Sequence, residues 1–119
     1  MRTRVSCLVV VAALFASSSA HAAVVIEGVV NCGEWTEGRA NHTAENLEHY
    51  TLGLLNGLAL GRGKEFWRAR GSKFSPQQAY LWMDNYCRAN PHNQVMTGAG
   101  ELYKERTESE PPSEGKKKP

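Results

Sequence analysis

The sequence predicts an all-α fold, a small bundle of three to four helices stapled by one disulfide and preceded by an extended N-terminal arm. Three observations predict it. Apolar residues recur at spacings of three and four through two long stretches, the period of a helix side rather than of a strand face. Residues 75–91, SPQQAYLWMDNYCRANP, carry both a helix start and a helix stop. Once an N-terminal leader is set aside, two cysteines remain, Cys32 and Cys87, the even pair expected of a small exported domain.

The leader comes first. Arg2 and Arg4 precede an apolar run over residues 5–15, and Ala20-His21-Ala22 is a small-x-small cleavage site, so residues 1–22 read as a signal peptide and Ala23 as the first mature residue. Cys7 stands before the apolar core of the leader, which argues against a lipoprotein. The run is short for a membrane span, so the expectation is an exported protein that leaves the membrane after cleavage. Cleavage removes Arg2 and Arg4 from 14 Lys and Arg set against 12 Asp and Glu, which leaves a formally neutral chain. That balance gives no electrostatic case for nucleic acid. Residues 23–106 suffice for one small helical domain. Residues 107–119, TESEPPSEGKKKP, hold no apolar anchor and read as a disordered tail, acidic first and basic after.

In chain order, residues 23–30 (AVVIEGVV) are apolar and β-branched, but no second strand offers itself as a partner, so they read as an arm lying on the helices. Asn31-Cys32-Gly33-Glu34-Trp35 brings the first half of the disulfide, and residues 38–42 read as loop. A helix is predicted over 44–60 with Asn41 or Thr43 as its cap and Glu45 and Glu48 in the early turns, where negative charge is favoured. Leu47, Tyr50, Leu54 and Leu58 form one stripe, widened by Leu52, Leu55 and Ala59, so this reads as the central buried helix. Gly53, Gly57 and Gly61 fall four apart and make a side without side chains, suited to close packing by another helix or by the arm.

Residues 62–74 hold Arg62, Lys64, Arg68, Arg70 and Lys73 against the single Glu65, with Phe66, Trp67 and Phe74 interleaved, and a short helical turn is expected over 64–70. Arginine forks and aromatic planes both favour interfaces, so Arg62, Lys64, Trp67, Arg68 and Arg70 are the candidate partner-binding residues. The competing account makes the aromatics core residues and the charges their solvated neighbours. The following helix is the best signed. Ser75 caps it, Pro76 suits its first position, Gln78 completes a capping box, and Asn90 before Pro91 ends it. Ala79, Tyr80, Met83, Tyr86 and Cys87 share one side, with Leu81 and Trp82 widening it, and Asp84 and Arg88 stand four apart on another. A last helix over 93–106 places Val95, Ala99 and Leu102 inward, weakened by Gly98 and Gly100.

Catalytic signals are sparse. His42, His49 and His92 stand at no metal-ligand spacing, no serine sits in a nucleophile elbow, and no glycine-rich loop follows a strand. A Cys32–Cys87 bridge consumes the mature thiols and, by closing a 55-residue loop, stabilises the fold by about 4 kcal/mol in the chain-entropy model. The expectation is a binding protein without cofactor or metal, rather than an enzyme.

The early cysteine, the helix Tyr50-x-x-Gly53-x-x-x-Gly57, and Tyr80-Leu81-Trp82-Met83-Asp84 leading to Tyr86-Cys87-Arg88-Ala89-Asn90-Pro91 resemble the small helical periplasmic proteins grouped with the Rap/Tai immunity proteins of type VI secretion, over about residues 30–105. They are similar, more distantly, to the acid-stress chaperone HdeA. The resemblance implies an all-α fold stapled by Cys32 and Cys87 and a protein partner, a secreted toxic effector whose active site the chain occludes. The more distant likeness implies instead a stress chaperone. Extra cysteines of some immunity proteins in that group are missing here.

Overall fold

The structure is a computed structural model and describes residues 23–108; the predicted signal peptide and all but the first two residues of the predicted tail lie outside them. Four helices follow in order, α1 over Cys32–Ala40, α2 over Glu45–Arg62, α3 over Pro76–Ala89 and α4 over Val95–Glu108, with a 3-10 turn at Ala69–Gly71. Among the described residues there is no strand, only an isolated antiparallel bridge between Asn31 and Gln94. The fold class is the predicted one, and Cys32 and Cys87 are joined as a disulfide.

α1 lies where the sequence suggested a pinned segment and a loop. Asn31 accepts from the Glu34 N–H while Glu34 accepts from the Asn31 N–H, a complete capping box that starts the helix. Cys32, Trp35 and Gly38 recur three apart and are buried. A Cβ on Gly38 would stand 2.8 Å from Leu47 Cδ1, so that half-buried side chain would have to turn aside.

α2 differs from expectation in two ways. Its cap position is Ala44, with no side-chain cap bond, rather than Asn41 or Thr43. It is also half-solvated. Thr51 and Leu55 alone are buried, Leu60 is 85% exposed, and Gly53, Gly57 and Gly61 have nothing within 4 Å of where a Cβ would be, so the expected close packing on the glycine side is absent among the described residues. The helix ends on Gly63, whose left-handed φ of 62° lets the next N–H groups turn back onto the last carbonyls.

α3 matches its signals closely, with Ser75 and Gln78 forming the capping box, Pro76 in the first turn, and Asn90 closing the end. Ala79, Tyr80, Met83, Tyr86 and Cys87 are buried, but Leu81 is 58% exposed and does not join the apolar sector. Arg88 donates to Asn85 rather than pairing with Asp84. α4 buries Val95, Ala99 and Leu102 as predicted, along with Gly98 and Tyr103, and it continues through Thr107 and Glu108, which the sequence assigned to the tail.

The core is formed by α3 and α4 with α1 and the inner side of α2 laid on them. The arm is pinned only at its end, where the Val95 N–H donates to the Val30 carbonyl and the Cys32 N–H to that of Asn93. Before that it is extended but does not lie on the helices, for Val24, Val25 and Ile26 are 84%, 82% and 51% exposed. No helix among the described residues is long and apolar enough to cross a membrane.

Candidate functional site

The cationic segment between α2 and α3 is built around Phe66, which is fully buried. Its ring meets Trp67 and Phe74 edge-on at 4.8 and 5.7 Å and stacks with Tyr103 of α4 at 5.9 Å. Such ring contacts are worth about 0.5–1.5 kcal/mol each beyond their burial. The segment doubles back on itself through Phe74 N–H to Trp67 carbonyl, 2.7 Å, and turns at Arg70 and Gly71, both in the left-handed region at φ 59° and 71°.

Arg106, which sequence reasoning passed over, fastens this segment to α4. Its guanidinium lies 4.1 Å from the Phe74 ring centroid and 5.6 Å from that of Phe66, while Nε donates to the Phe66 carbonyl and Nη2 to that of Ser72. Burial, with the neighbouring Arg70, lowers its pKa against the opposing charge of Glu105. The signal for Arg106 was its place three residues after the buried Tyr103, masked by its charge.

Four of the five candidate residues fall into two pairs, and Arg70 stands apart from both. Arg62 closes α2, lies 5.8 Å from the Tyr103 ring and stands 4.0 Å from Glu108, and Lys64 beside it is exposed with its carbonyl accepting from the Tyr103 hydroxyl. Trp67 and Arg68 instead border an open groove of about 370 Å³. Leu52, Trp67, Phe74 and Pro76 give it an apolar floor, and Asn56, Arg68 and Lys73 its polar rim, with no acid among these residues. Trp67 is half-buried and held in place by donation from Nε1 to Asn56 Oδ1 at 2.8 Å. The aromatic residues of this segment are divided between core and surface. Phe66 is core, whereas Trp67 and Phe74 show one side to the groove. Arg70 is exposed on the far turn of the segment.

A second charged cluster lies where α1, α2 and α3 meet. Arg39 donates through Nε and Nη2 to both oxygens of Asp84 at 2.9 Å and through Nη1 to Glu48 at 2.6 Å, and Trp35 Nε1 donates to Asp84 at 2.8 Å. Burial pushes the Asp84 carboxyl up, but the hydrogen bonds from Arg39 and Trp35 and the charges of Arg39 and Arg88 outweigh it and leave the pKa below the ordinary value. The Arg39 pKa is raised, chiefly by its hydrogen bond to Asp84 and against the effect of burial. Every strong donor and acceptor here is taken up in joining helices. The histidines His42, His49 and His92 are exposed, and no three His, Cys, Asp or Glu among the described residues are placed to hold a metal.

Comparison with family models, curated proteins and solved structures finds no match to this chain. Its function is therefore read from its own geometry.

Proposed function

We propose that this chain is a non-catalytic binding protein of the periplasm that seats the groove beside Trp67 on an acidic, partly apolar face of a partner protein, in the manner of an immunity-type inhibitor occluding a toxic effector. One observation carries the reading. An apolar floor is presented to solvent between exposed cations, on a segment that Arg106 and the Phe66 ring cluster hold in shape. A preorganised site loses little entropy on binding, and a desolvated aromatic anchor ringed by polar groups is the usual form of an interface hot spot. The resemblance of the Tyr86-Cys87-Arg88-Ala89-Asn90-Pro91 segment to immunity proteins supports the class of partner. The other charged cluster is spent on joining helices, which leaves the groove as the better site.

The test is capture from extract of the native cell by the mature chain and by its Arg68→Glu, Lys73→Glu variant, both checked for an unchanged thermal midpoint. A stoichiometric partner held by the first and lost by the second is the expected result. Equal capture by both overturns the assignment of the groove. A second reading, an acid-stress chaperone, is favoured by the Arg39 cluster, since protonating Asp84 weakens what joins α1 to α3. Suppression of client light scattering at low pH supports that reading, and its absence removes it.

A further inference from the structure

The sequence that follows α4 carries a segment whose chemistry fits the groove. Residues 109–114 are Ser-Glu-Pro-Pro-Ser-Glu. Paired prolines favour the polyproline II conformation, and aromatic-lined grooves take such segments because little backbone entropy remains to be lost. Here the floor is Trp67, Phe74, Pro76 and Leu52.

Charge and place in the chain agree with this fit. Glu110 and Glu114 flank the prolines, four residues apart in sequence, so the segment offers two separate anionic groups. Arg68 and Lys73 supply cations on the groove rim, and neither has an ion-pair partner among the described residues. Arg106, two residues before the end of α4, touches the Phe74 ring and the Ser72 carbonyl, so the last turns of α4 reach the segment that borders the groove. Pro111 is three residues beyond Glu108, an extended reach of roughly 10 Å.

We propose that residues 110–114 dock in cis in this groove, with Pro111 and Pro112 on the Trp67 and Phe74 rings and the two glutamates at Arg68 and Lys73. The tail then stands in for the acidic partner until that partner displaces it. This rests on the reading of the groove as the binding site.

The experiment compares amide and indole resonances of the full mature chain with those of a variant carrying Glu110→Gln, Pro111→Ala, Pro112→Ala and Glu114→Gln. The Trp67 indole N–H and the Arg68, Lys73 and Phe74 amides are expected to shift, while the Trp35 and Trp82 indoles stay. A synthetic peptide of residues 109–115, added to the variant, restores the original positions and binds the unmodified chain roughly tenfold more weakly, because the tethered segment competes at high effective concentration. Coincident spectra overturn the docking. So do shifts that vanish on dilution, which place the tail of a second copy in the groove. Docking shifts in a chain that captures no partner through the groove sink the binding-protein reading and leave the tail docked. Partner capture that needs Arg68 and Lys73, combined with coincident spectra, removes the tail alone.

Discussion

Gly98 and Gly57 both interrupt a helix, yet their surroundings assign them opposite effects. A Cβ on Gly98 would lie 2.6 and 2.7 Å from two carbons of the Tyr86 ring and 2.9 Å from Met83 Sδ, so α4 approaches α3 only because that position is bare. Neither neighbour is free to retreat. Tyr86 stacks on Trp82 at 5.4 Å and accepts from Asn93 through its hydroxyl, and Met83 is fully buried. Gly98→Ala is therefore expected to cost about 1–3 kcal/mol, the range for overpacking a closed core. Gly57 meets nothing within 4 Å. Gly57→Ala should stabilise by about 0.5–1 kcal/mol, from helix propensity and from a less disordered unfolded chain. Urea midpoints of the two variants check both signs, and a destabilised Gly57→Ala chain would mean that something packs on the glycine side of α2.

Between elements, the Arg39 cluster does for α1, α2 and α3 what apolar contact does elsewhere. α1 has only Cys32, Trp35 and Gly38 to bury, so the Asp84 carboxylate, receiving both Trp35 and Arg39, supplies much of its attachment to α3. The Asp84 pKa is depressed in the folded state, so the unfolded chain binds the proton more readily and stability rises with pH through the window. The contribution is complete above the unfolded carboxylate pKa of about 4 and is lost as pH falls through the lower folded value. Asp84→Asn should cost about 2 kcal/mol at neutral pH, as for a hydrogen bond to a charged group. Its stability should also fall less steeply than that of the native chain between neutral pH and acid, and parallel curves from thermal melts across that range would sink the assignment. Sequence reading reached α3 to within a residue because its start and stop signals are local. It missed α1, although Asn31 and Glu34 stand at capping-box spacing, because two glycines and a short apolar repeat made the segment look like loop. It misjudged the glycine side of α2 because spacing marks a smooth face without saying what covers it. Arg39 and Arg106 escaped notice for a related reason: their partners lie 45 and 40 residues away, at distances no local pattern encodes.

For the molecule as a whole, the Cys32–Cys87 bridge sets how these pieces survive outside a reducing compartment. It joins α1 to α3 and encloses α2 and the cationic segment in one loop, leaving the arm and α4 outside. α4 nevertheless reaches into that loop, through Tyr103 to Lys64 and through Arg106 to Phe66 and Ser72, so the groove beside Trp67 depends on contacts from both sides of the covalent closure. Closing 55 residues is worth about 4 kcal/mol in the chain-entropy model, a large part of the 5–15 kcal/mol that small domains usually possess. Reduction is therefore expected to lower the unfolding free energy by about that amount and to raise the denaturant slope, since the reduced unfolded chain exposes more surface. α1 should loosen first, because what then remains to hold it is the Arg39 cluster, the Trp35 contact and the short hydrogen-bonded junction with residues 93 and 94. Trp35 and Trp67 report the two regions separately in indole resonances followed through reduction. Early broadening of Trp35 with Trp67 unmoved is the expected order, and simultaneous loss of both would mean that the staple holds the groove directly rather than through the helix it anchors.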